Sequence, residues 1–199
     1  MVHAADCRNS LDGVGFFDIT PERAGRAARP DGIIPGFAAA GLFLIRTDEL
    51  AVAVGSVQAY PNGFEFTVHA RVHHGQLPWG TSPLDPSGDP RTNSDPDLAL
   101  RLGVLYPDGR RARTGTYRPR PVDDGVDDDT YLVLREIGTG GTERQWDGRF
   151  WVHPLPPDGP VTFVASWLLH EVAETRADLD SSVIHEAVQR AVILWPDEP

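Results

Sequence analysis

Residues 51–72 read AVAVGSVQAYPNGFEFTVHARV. Ala51 to Tyr60 is a mostly apolar run. After it Phe64, Phe66, Val68, Ala70 and Val72 alternate with Glu65, Thr67, His69, Arg71 and His73, the period of a strand buried on one face. Between the two runs Pro61-Asn62-Gly63 supplies a fixed φ and then residues that tolerate positive φ, so the chain reverses and the runs pair as an antiparallel hairpin.

The same punctuation recurs in both directions along the chain. Leu98, Leu100, Leu102, Val104 and Tyr106 alternate and end in Tyr106-Pro107-Asp108-Gly109, while Pro157-Asp158-Gly159 separates a run over Arg149 to His153 from one over Val161 to Leu169. Tyr131 to Glu136 reads as a further short strand, and Gly138-Thr139-Gly140-Gly141 after it as a flexible hairpin tip. No helical pattern lies between successive strands, which excludes a βαβ sheet. The expected fold is mainly β, an antiparallel β-sandwich of immunoglobulin-like or jelly-roll-like type, with a C-terminal α-helix packed on it. That helix is expected to start at Asp180 or Ser181, to carry Ile184, Ala187, Val188, Ala191 and Trp195 on its buried face, and to stop at Pro196. Thr20-Pro21-Glu22 suggests a short helix near the N-terminus.

The 199 residues fit one domain, and the prolines of Gln76–Asp97 (Pro78, Pro83, Pro86, Pro90, Pro96) mark a long loop without periodicity. A charged loop spans 110–129, where Arg110, Arg111, Arg113, Arg118 and Arg120 run into Asp123, Asp124, Asp127, Asp128 and Asp129. The net charge of −11 disfavours a nucleic-acid partner, which needs a basic face, and no apolar run is long enough for a membrane span. One cysteine, Cys7, forms no internal disulfide and suits a reducing, cytoplasmic setting. All 18 basic residues are arginine, the mark of a GC-rich genome. The C-terminal arrangement of Leu155-Pro156-Pro157-Asp158-Gly159-Pro160, a Trp-bearing strand and Leu194-Trp195-Pro196 resembles bacterial β-sandwich proteins, a resemblance that implies no activity.

Chemistry-bearing residues form no coherent catalytic set. There is no Gly-x-Ser-x-Gly elbow and no phosphate loop before a helix. A possible divalent metal could be held by His69 and His73 on one strand face with a loop carboxylate, or by His170, Glu171 and Glu174, where the zincin pattern lacks its second histidine. The aspartates of 123–129 do not match an EF-hand loop. Trp79, set in Leu77-Pro78-Trp79 within the Pro-rich loop, has no periodic partner and is the candidate anchor for a protein partner or a second copy. The expectation is a non-catalytic cytoplasmic binding or assembly module, acting as a homo-oligomer or through a protein partner. The alternative is a metal-binding protein or metal-dependent enzyme.

Overall fold

A computed structural model describes residues 28–77, 82–115 and 131–195. In chain order these form β1 (Ile33–Ile34), β2 (Gly36–Arg46), β3 (Leu50–Tyr60), β4 (Gly63–Val72), β5 (Arg101–Leu105), β6 (Arg111–Arg113), β7 (Val133–Thr142), β8 (Gln145–His153), β9 (Pro160–Trp167), β10 (Val172–Asp180), α1 (Ser181–Val188) and β11 (Val192–Ile193). One sheet has the order β2-β3-β4-β8-β7, the other β10-β9-β5-β6, and β1 pairs with β11 in a two-stranded ribbon; every pairing is antiparallel.

The two larger sheets pack face to face as a sandwich. Alternation on β4 sends Phe64, Phe66, Val68, Ala70 and Val72 inward, and all five are buried. They meet Val161, Phe163, Ala165 and Trp167 of β9, with the Phe66 ring edge-on to Phe163 at 4.9 Å and stacked on Phe150 at 5.2 Å. Each such ring contributes about 1.5–3 kcal/mol by leaving water. The first hairpin turn is as tight as its residues allow, because Tyr60 pairs with Gly63 across Pro61-Asn62. Two adjacent pairs interlock the sheets: β4–β8 lies in one, β5–β9 in the other, and both connecting segments, β4 to β5 and β8 to β9, cross between them.

Several expectations need correction. The Pro157-Asp158-Gly159 segment joins strands of different sheets and so makes a crossover, not a hairpin. Gly138 to Gly141 is no tip: these residues pair with Arg149 to Trp146 of β8, and the reversal falls at Glu143-Arg144, between the paired Thr142 and Gln145. Val172–Asp180, which carries the Glu174 offered as a metal ligand, is not a loop but β10, paired with β9. Its outward Glu174 and Asp178 are solvated, and its inward Leu179 is buried.

The helix exists, and Asp180 caps it by accepting from Ser182 N at 2.8 Å, but it ends at Val188. Its buried residues are Ser181, Ile184 and Ala187. It lies so close to β2 that a side chain at Gly36 would collide with the Ala187 carbonyl. Ala191 and Trp195 lie beyond the helix, because Val192 and Ile193 pair with Ile34 and Ile33. Their branched side chains suit strand geometry better than another helical turn.

The described part of the Pro-rich segment is not structureless. Asp85 and Asp89 each cap a 3₁₀ turn opened by the following proline, Pro86–Gly88 and Pro90–Thr92, accepting from Ser87 N and Arg91 N at 2.9 Å. Within the charged segment Arg111–Arg113 is edge strand β6. The Thr20 helix, the 118–129 charges, Pro78 and Trp79 lie outside the described residues.

Candidate interaction surface

Ile33-Ile34 cannot join the large sheet, since Pro35 follows and lacks the amide that a ladder needs. They pair instead with Val192-Ile193, and Leu194 N donates to Gly32 O at 2.9 Å. The Trp195 ring lies over Gly32, within van der Waals reach of where a side chain would begin. Arg190 Nη2 donates to Phe37 O at 2.8 Å and ties this ribbon to β2, the last strand of the five-stranded sheet. Among the described residues eight large apolar side chains are exposed, and six belong here: Ile34, Phe37, Val192, Ile193, Leu194 and Trp195, the last 58% exposed. Phe43, further along β2, carries the Arg46 guanidinium 5.0 Å above its ring. An apolar cluster of this density on an exposed sheet edge is characteristic of an interaction site.

The C-terminal part of the patch was legible in the sequence. Val192-Ile193-Leu194-Trp195 is four large apolar residues in succession, which on a helix would point to every side rather than to one buried face. The mistaken helix hid it.

The expected metal ligands are dispersed. His69 Nδ1 donates to Asp147 Oδ1 at 2.6 Å, and Arg71 Nη1 reaches the same oxygen at 2.8 Å. Partial burial raises the Asp147 carboxyl, but the bonds from Arg71 and His69 outweigh it and hold the group below the ordinary value. The His69 ring lies over Gly55, where any side chain would strike its Nε2 edge. The carboxylate from a neighbouring strand is therefore present, but the second imidazole is not: His73 lies past the end of β4 with its ring 3.9 Å from that of His74.

His170 and Glu171 fall at a 3₁₀ turn after β9, where Glu171 adopts φ +58°, and Glu174 pairs with Arg176 at 2.6 Å. The His170 ring meets Trp167 edge-on at 4.5 Å, near the ion pair between buried Asp89 and exposed Arg91. Burial, and then the nearby Arg91, lower its pKa against the opposite pull of Asp89 and Glu49. No group of three His, Cys, Asp or Glu residues close enough to hold a metal ion occurs among the described residues. Leu77 is buried, its N–H donating to Glu143 O at 2.7 Å, so it faces the core and not a partner. Trp146, Trp151 and Trp167 are buried as well, and Tyr60 packs edge-on against Trp151 at 5.5 Å.

Comparison with known protein families, curated proteins and solved structures finds no match to this chain.

Proposed function

We propose that the protein is a non-catalytic binding module that acts by self-association, two copies meeting through the β1–β11 ribbon and the adjoining edge of β2. The observation that carries this reading is the cluster of Ile34, Phe37, Val192, Ile193, Leu194 and Trp195, exposed together at one sheet edge. The charge distribution allows a second copy to meet here. The chain carries −11, so two copies repel over most of their surface, yet residues 32–45 contain no charged side chain at all. Antiparallel edges are also self-complementary about a two-fold axis. Trp195 takes the anchor role expected of Trp79. A cytoplasmic setting accords with the single cysteine.

Sedimentation velocity over a range of protein concentrations tests the proposal. The native chain should shift from monomer to dimer. Trp195→Ser and Phe37→Ser should each weaken the dimer by about 2 kcal/mol, or about 30-fold, with the far-ultraviolet circular dichroism unchanged. A monomer at every concentration, or a dimer indifferent to both substitutions, defeats it.

A further inference from the structure

One end of the five-stranded sheet is buried on its outer face as well. Alternation turns Tyr60, Glu65 and Trp151 away from the core that the two large sheets share, yet all three are buried, Glu65 to 2% exposure. Glu65 and Trp151 are cross-strand partners on β4 and β8, Gly63 leaves room for the indole, and Tyr60 stands edge-on to it. Two contacts reach this spot from the segment that leads into β1. Arg29 Nη1 donates to Glu65 Oε1 at 2.8 Å, and Asn62 Nδ2 donates to Ala28 O at 3.0 Å. Tyr60 OH also donates to Glu65 Oε1, at 3.3 Å.

A carboxylate this deeply buried needs a cation, because taking an isolated charge out of water is costly. Among the described residues Arg29 supplies it, and Glu65 Oε2 has no hydrogen-bond partner. The two partners are unequal. The Arg29 side chain is 41% exposed and is readily solvated when it leaves, whereas Glu65 left behind under cover would be an unpaired buried charge. The arrangement therefore has two states, Arg29 seated with Glu65 covered, or both opened to water together. Only Pro30-Asp31-Gly32 separates Arg29 from Ile33 of β1, so the seat of Arg29 fixes where the ribbon begins. Gly32 in turn receives the Leu194 N–H and lies under the Trp195 ring.

We propose that Glu65 is the seat of an ionic latch. Arg29, held there, straps residues 28–32 onto the sheet and thereby docks the β1–β11 ribbon; when Arg29 leaves, the ribbon loosens and the apolar surface it presents comes apart. Presentation of that surface is then conditional on one ion pair. The consequence for self-association rests on the function proposed for the ribbon, whereas the latch itself rests on the contacts of Ala28 and Arg29.

The test is amide hydrogen exchange of the full chain and of Arg29→Gln, Glu65→Gln and the double variant, in protein dilute enough to be monomeric. Glu65→Gln keeps the shape of the side chain and leaves no buried charge behind, so it reads the latch even where Arg29→Gln destabilises the whole fold. The Leu194 amide should exchange about 10-fold faster or more in each single variant, and no faster in the double one, because all three remove the same interaction. Amides of the β5–β9 pairing, in the other sheet, should change by less than about 3-fold in Glu65→Gln. A native rate at Leu194 in Glu65→Gln, or equal acceleration in both sheets, would overturn the latch. Sedimentation velocity of the same variants reads the consequence: Glu65→Gln should weaken the dimer about 10-fold or more with Phe37 and Trp195 untouched, and a dimer as tight as the native one overturns the link to self-association. A native chain that stays monomeric defeats the function proposed for the ribbon, and the exchange rates still decide the latch.

Discussion

His170 shows how one side chain couples the fold to pH. Its pKa is lowered in the folded protein, so between that value and the ordinary value of about 6.5 the unfolded chain binds a proton that the folded chain does not. Stability should therefore fall as pH drops below about 6.5. Asp89 adds a second, more acidic window: the Arg91 hydrogen bonds lower its pKa, and the stability they contribute is present above about pH 3.9 and lost as pH falls through the lower folded value. Urea midpoints of the native chain and of His170→Phe, measured between about pH 7.5 and about pH 5, should diverge, with the native chain losing more. Parallel pH profiles would show that His170 is not the group responsible. His69 and Asp147 illustrate what a single strand conceals. The alternation on β4 places His69 on the outer face, but its partner is 78 positions away and depends on the β4–β8 register.

The most informative element is β7. Gly138-Thr139-Gly140-Gly141 has the composition of a loop, yet its backbone pairs with β8 throughout, because glycine gives up only side-chain packing and entropy when a neighbouring strand supplies the hydrogen bonds. The two later glycines should respond oppositely to a branched side chain. A Cβ at Gly140 meets open space, so Gly140→Val should stabilise by about 0.5–1 kcal/mol through strand propensity and reduced unfolded-chain entropy. At Gly141 it would run into the Gln145 backbone, and Gly141→Val should cost about 1–3 kcal/mol. Thermal denaturation of both variants checks this, and a shared sign would contradict the strand assignment. The C-terminal helix makes the complementary point. Its start was legible because Asp180 caps locally, whereas its end was set by β1, some 160 residues earlier in the chain.

At the level of the whole molecule, the core is one body shared by both large sheets and α1, with Phe66, Phe150 and Phe163 at its centre. Phe163→Ala should destabilise by about 3–5 kcal/mol in urea unfolding, since a cavity bounded by both sheets cannot collapse without moving one of them. A loss near 1 kcal/mol would mean that the sheets pack less closely than described. Period-two alternation and the Pro61-Asn62-Gly63 and Pro107-Asp108-Gly109 turns were sufficient to establish antiparallel strands, the Tyr60–Gly63 reversal and the inward set of β4, because those properties arise between residues a few positions apart. Which strands neighbour one another, where α1 stops, and the gathering of six exposed apolar side chains at one edge depend on contacts between distant residues. Such contacts leave no local period, and they form only when the two sheets close over a common core.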